Sequence, residues 1–177
     1  DRMLAPGIGI DAACVDAGYR PERVYDWVSK HRHRGARASV GRDNPARLYA
    51  PQKIETTRHG AKLWAGLERW VLDHGYFKGW VHDRLNYPDD QPGAWQLPQN
   101  VGDDYCKQIV AEQRMRTPAG GTIWVKRSTN AFLDCEAMQV FLAHVEGVRN
   151  LLPPDDSAAK PADDLAALAR QLNEDPK

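Results

Sequence analysis

Asp16 closes the apolar stretch GIGIDAACVD, and Asp134 stands near the start of NAFLDCEAMQVFLAHVEGV, residues 130–148. In the second stretch Leu133, Ala137, Met138, Phe141, Leu142, Val145 and Val148 recur at the i, i+3, i+4, i+7 spacing of one buried helical stripe. Asp134 belongs to that stripe, in helical step with Met138, Phe141 and Val145. Two carboxylates drawn inside one domain repel each other unless a cation or a proton lies between them. A hard divalent cation such as Mg²⁺ prefers oxygen ligands, uses one or two protein carboxylates and leaves room for water and phosphate. Ions held in this way hydrolyse phosphodiesters by activating water and steadying the leaving oxygen. Asp73, ending RWVLD, occupies a similar strand-end place and is a third candidate. Asp11, five residues before Asp16, falls on the opposite side of an extended strand and ranks lower. A plainer role stays open for both principal residues: Asp134 as a first-turn acid favouring the helix dipole, Asp16 as a turn residue capping the helix that starts at Pro21.

Other chemistries lack their residues. The chain has no GxGxxG, no GxxxxGK[ST] and no GxSxG, which excludes a dinucleotide fingerprint, an ATP-binding P-loop and a nucleophile elbow. Three cysteines, Cys14, Cys106 and Cys135, show neither CxxC nor Cys/His zinc spacing; they read as buried structural thiols in a reducing intracellular compartment. The six histidines, including His31 and His33, form no ligand set and read as surface residues.

The elements that must carry these groups follow from patterning. A chain of 177 residues, 42% hydrophobic, suits one domain with a core, and it has neither a bilayer-spanning apolar run nor a signal-peptide pattern. Ile8, Ile10 and Val15 suggest a buried strand ending at Ala17-Gly18, followed by a helix from Pro21 with Val24, Trp27, Val28 and His31 on one stripe. Residues 35–60 read as an exposed loop apart from a short strand at Arg37 to Val40. Lys plus Arg equals Asp plus Glu, at 24 each, so overall charge does not advertise a nucleic-acid partner. In or beside that loop, however, lie Arg34, Arg37, Arg42, Arg47 and Arg58, cations able to contact phosphate. Spacing leaves Leu63 to Leu72 open between helix and strand, and predicts a helix over Tyr76 to Leu85. Trp95 to Leu97 reads as a short strand, Asp103-Asp104 opens a helix through YCKQIVAEQRM, and TPAGG turns into a strand at Thr122 to Lys126. After residue 150 a Pro/Asp/Ala linker leads to an amphipathic helix with Leu165, Leu168 and Leu172. The alternation of strands and helices gives an α/β domain over residues 1–150, with residues 151–177 as linker and C-terminal helix.

Three segments carry a resemblance. VDAGYRPERVYDWV, RWVLDHGYFKGWVHDRL and TIWVKRSTNAFLDCEAM resemble, in order from about Ile8 to Val148, the nuclease domain of tailed-bacteriophage terminase large subunits, with Asn-x-x-Leu-Asp-Cys the most specific element. The resemblance implies a ribonuclease H-like mixed sheet flanked by helices. It also implies an Mg²⁺- or Mn²⁺-dependent DNA endonuclease that cuts concatemeric double-stranded viral DNA during packaging in the bacterial host cytoplasm, with the terminase small subunit and portal as partners and no membrane. Carried over, Asp16 is the strand-end catalytic metal ligand and Asp134 the helix-borne one, with Asp73 and Lys78 as auxiliary residues, Asp73 catalytic; the expected DNA contacts are Lys78 together with Arg42 and Arg47 of the arginine-rich loop. Ala131 follows Asn130 where such domains commonly have Glu, and Val40-Gly41 stands for their Lys-Gly. Their first catalytic Asp lies on an opening strand upstream of the matched part, so the expected sheet lacks its first strands. The competing expectations are a catalytically incomplete remnant that binds DNA or partners, and a resolvase-like nuclease of the same fold.

Overall fold

A computed structural model describes residues 9–150 apart from 55, 59 and 60, with side chains described for 9–54, 64–148 and 150. The linker and helix expected over residues 151–177, and Ile8, lie outside the described residues. The chain divides into two units, Asp1–Glu146 and Gly147–Lys177; in the second, Val148–Asn150 forms a single 3-10 turn.

The first unit is built on a mixed sheet. Strand β1 (Ala13–Asp16) leads through helix α1 (Pro21–His31) to β2 (Ala36–Arg42), which lies parallel to β1. This is a strand-helix-strand crossover, the connection that parallel neighbours require. Strand β3 (Tyr49–Lys53) and the small hairpin β4 (Thr56–Arg58) and β5 (Ala61–Leu63) follow, then β6 (Glu68–Asp73). Strand order is β1-β2-β6-β3, with β6 parallel to β2 and antiparallel to β3. Helix α2 (His74–Leu85) starts at once from β6; α3 (Asp103–Ile109), the hairpin β7 (Glu112–Arg116) and β8 (Thr122–Lys126), and α4 (Ala131–Val145) complete the unit.

The period-two alternation of β2 sets the layers. Ala36 and Ala38 face one way, into a core with Tyr25 and Val28 of α1, Ala17 and Leu67. Ser39, the next residue along the strand, faces the other way, its Oγ 3.3 Å from the Met138 sulfur on α4. Small side chains on β2 let helices pack closely on both faces. On the second face Leu72 of β6, Phe77 and Val81 of α2, and Leu133, Ala137, Val140 and Phe141 of α4 form the larger core. Among the described residues no helix is long and apolar enough to cross a membrane.

Several expectations are corrected. The first strand is shorter than Ile8 and Ile10 suggest: it starts at Ala13, and Ile10 is 61% exposed. In α1 the buried residues are Tyr25 and Val28, while Trp27 is 42% exposed and stacks on His31 at a centroid distance of 4.5 Å. Residues 35–60 are not one loop, because β3 runs through them. Leu63 to Leu72, left open between helix and strand by spacing, resolves as strand: Trp64 takes φ 53° and Gly66 φ 74°, a left-handed turn that delivers the chain into β6. Trp95 to Leu97 is irregular, and the helix from Asp103 ends at Ile109, after which Glu112 begins a strand. The thiols are less buried than expected, with Cys106 and Cys135 exposed and Cys14 half-buried.

Candidate active site

The three parallel strands point the same way, with β1 ending three residues short of its neighbours: Asp16 is level with Ser39, while β2 and β6 run on to Arg42 and Asp73. Register pairs Gly41 with Leu72 and Arg42 with Asp73, so the stepped carboxyl edge of the sheet carries Asp16 on its lower step and the end of β2 and the β6–α2 junction on its upper one. In open α/β sheets ligands bind in the crevice beyond that edge. Asp134, in the first turn of α4, lines a cleft of about 200 Å³ there with Asp16, Ser39, Gly41, His74 and Met138. Gly41 permits this arrangement, since a Cβ there would sit 3.0 Å from Cγ of His74.

Asp134 is held by three donors. Its Oδ1 is 3.0 Å from His74 Nε2 and 3.0 Å from Lys78 Nζ, and its Oδ2 accepts from Asn130 Nδ2 at 3.0 Å. Lys78 Nζ also donates to Oε1 of Glu112 at 2.6 Å, and Asn130 Nδ2 donates to the same oxygen. Lys78, Glu112 and Asn130 are buried beneath the cleft, at 2%, 5% and 5% exposure. Asp134 is half-buried, and burial alone pushes its carboxyl up; hydrogen bonds from His74 and Lys78, with the Lys78 charge, outweigh that and hold it below the usual carboxylate range. Asp16 makes an Asx turn, its Oδ1 accepting from the Gly18 amide at 2.9 Å. It does not cap α1, whose N-cap position is Arg20 at φ 50° with no side-chain bond.

The comparison with known families decides what this site belongs to. Residues 4–155 match the endonuclease domain of the terminase large subunit gpA. The chain belongs to that family. No curated protein and no solved structure matches it. The matched span includes Asp16, His74, Lys78, Glu112, Asn130 and Asp134, so the whole cluster lies inside the terminase endonuclease domain.

The structure brings Asp16 and Asp134 to one cleft and parts the other expected residues from it. Asp73 caps α2, accepting from the Tyr76 amide at 2.9 Å, and lines a neighbouring depression with Asp43, Tyr76, Arg114 and Trp124. Lys78, expected at a DNA surface, is turned inward onto two carboxylates instead. Arg42 and Arg47 are exposed. Arg37, by contrast, is committed to an ion pair with Glu146. His74 and Glu112 were missed. Nothing in DHG marks a histidine as a partner of a carboxylate sixty residues away, and Glu112 sits in what reads as the polar side of a continuing helix.

The donor chemistry at the cleft fits a hard divalent cation. Two carboxylates lining one cleft, with water and phosphate completing the shell, is a sufficient protein contribution for Mg²⁺. Among the described residues no three His, Cys, Asp or Glu side chains gather as a chelating group.

Proposed function

We propose that this chain is a divalent-metal-dependent endonuclease domain that cuts concatemeric double-stranded viral DNA during genome packaging. The observation that carries the reading is the convergence of Asp16 and Asp134 on one cleft at the carboxyl ends of parallel strands, inside a domain of the terminase endonuclease family. Asp16 and Asp134 would hold a Mg²⁺ or Mn²⁺ ion, which when bound would supply an activated water and a counter-charge for the departing oxygen. His74 and Lys78 offset the burial of Asp134 and favour its charged form. His74 and Asn130 fix its orientation, one on each oxygen. In this reading Arg42, at the end of β2, and Arg47, in the following loop, meet the phosphate backbone of DNA, and their exposure supports that role. Three parallel strands with helices on both faces support a ribonuclease H-like assignment of the fold. In this reading the domain works in the bacterial host cytoplasm, with the terminase small subunit and the portal as partners.

A second reading has its own support: two acids share the cleft and Asp73 does not join them, as a catalytically incomplete DNA- or partner-binding module would have it. Plasmid nicking in Mg²⁺ or Mn²⁺, with Asp134→Ala as control, separates the two. Cation-dependent nicking abolished by the substitution supports the endonuclease; salt-sensitive DNA binding with no nicking by either protein supports the module.

A further inference from the structure

Glu112 has no evident reason to be buried. It starts an exposed hairpin, yet it is 5% exposed and its Oε1 takes bonds from both Lys78 and Asn130, the two residues that also reach Asp134. As an ion pair serving only to fasten β7 onto α2, it would be a poor device, because buried pairs of this kind are often replaceable by apolar side chains without loss of stability. Charge accounting gives it another role. Lys78 lies 3.0 Å from Oδ1 of Asp134 and is 2% exposed, so water screens its charge little. Alone, that ammonium would neutralise Asp134 and compete with any cation approaching from the cleft. With Glu112 at 2.6 Å on its other side, the group of Lys78, Glu112 and Asp134 retains a net negative charge, and the carboxylate on the cleft wall is where it meets solvent. Asp134 keeps three donors on about four acceptor sites, which leaves acceptor capacity on a side chain that lines the cleft.

We propose that Glu112 is a positioning residue that offsets the Lys78 charge, so that Lys78 orients Asp134 without neutralising it and Asp134 remains able to bind a divalent cation. The proposal rests on the endonuclease reading of the Asp16 and Asp134 cleft. Glu112 acts through Lys78 and Asn130 and touches no reacting atom.

The test is calorimetric titration of the full chain with Mn²⁺, accompanied by melting curves. Wild type and Asp134→Asn come first: Mn²⁺ binding that depends on Asp134 upholds the site, whereas no binding, or binding indifferent to Asp134, overturns both that reading and this proposal. Glu112→Gln keeps the shape and one acceptor oxygen but leaves Lys78 to act on Asp134 alone, and Mn²⁺ affinity falls about 10- to 100-fold. Adding Lys78→Met removes the unbalanced charge, and the double variant recovers to within about threefold of wild type. If Glu112→Gln does not fold, the uncharged double variant decides alone, with affinity near wild type in support and a loss of about tenfold or more against. Wild-type affinity in Glu112→Gln, or a double variant as weak as the single one, shows that Glu112 only packs and overturns the proposal while leaving the metal site standing.

Discussion

His74 Nε2 lies 3.0 Å from Oδ1 of Asp134, although sixty residues separate the two in sequence. The contact exists because β6 ends at Asp73, α2 begins immediately at His74, and the end of β2 carries a glycine where any larger residue would meet the imidazole. It ties the carboxyl edge of the sheet to the first turn of α4, and the candidate site is built around that tie.

Gly41→Ala therefore acts on the site through His74. The new Cβ would lie 3.0 to 3.3 Å from the His74 ring and its Cβ, so the ring must move and its bond to Asp134 must lengthen. Overpacking of this kind costs about 1–3 kcal/mol. Thermal melts should fall by that amount, and metal-dependent nicking should fall further than the fraction unfolded explains. Unchanged nicking would mean that His74 does not support Asp134.

Acid should weaken the fold through Asp134. Its carboxyl is held lower in the folded state than in the unfolded chain, where it takes the ordinary value of about 3.9. The stabilisation is fully present above that ordinary value and is lost as pH falls from there through the folded value, since protonation then costs the folded state more than the unfolded one. Denaturant melts of wild type and Asp134→Asn should differ at pH 6–7 and converge as the pH drops below about 4. A gap that widens on acidification would contradict the hydrogen-bonding pattern.

Lys78→Met, made alone, should be among the most damaging single changes to the fold. It leaves the Glu112 carboxylate buried with Asn130 as its remaining donor, and stranding one partner of a buried pair costs about 3–5 kcal/mol. Urea unfolding measures it directly. A loss below about 1 kcal/mol, the level of a surface pair, would show that Lys78 is not buried against Glu112 as described.

With Lys78 internal, the proposed DNA contact falls to Arg42 and Arg47, which are exposed. Arg42→Ala and Arg47→Ala should each reduce the slope of log affinity against log salt by about one, with little dependence on DNA sequence. Lys78→Met in the Glu112→Gln background should leave that slope unchanged.

Local patterning made α1, the core of β2, α2, β8 and α4 legible, because each has periodicity or turn signals of its own. The misses arose where pairing, not local preference, decides. β3 contains Pro51 and looked like loop; it is an edge strand of the sheet, where a missing amide donor is tolerated. β6 could be helix or strand by spacing, and becomes strand because β2 and β3 pair with it on both sides. Glu112 reads as the next polar residue of a helix, yet the helix stops at Ile109 and Glu112 turns inward to meet Lys78.

The same contrast holds at the site. Asp134 was visible as a carboxylate on an apolar stripe, and the structure sets it at the margin of that stripe: Leu133, Ala137, Val140 and Phe141 are buried while Asp134 lines the cleft. Asp16 was visible as the end of a strand. Their convergence, and the His74, Lys78, Asn130 and Glu112 side chains around Asp134, depend on how four separate elements pack, which spacing along the chain does not encode.

The most direct test is a crystal of the chain soaked in Mn²⁺, with the ion located by its anomalous scattering. The account predicts a peak in the cleft between Asp16 and Asp134, at about 2.1 Å from an oxygen of each carboxylate. Ordered crystals in which Mn²⁺ binds elsewhere, or leaves both carboxylates uncoordinated, would contradict it.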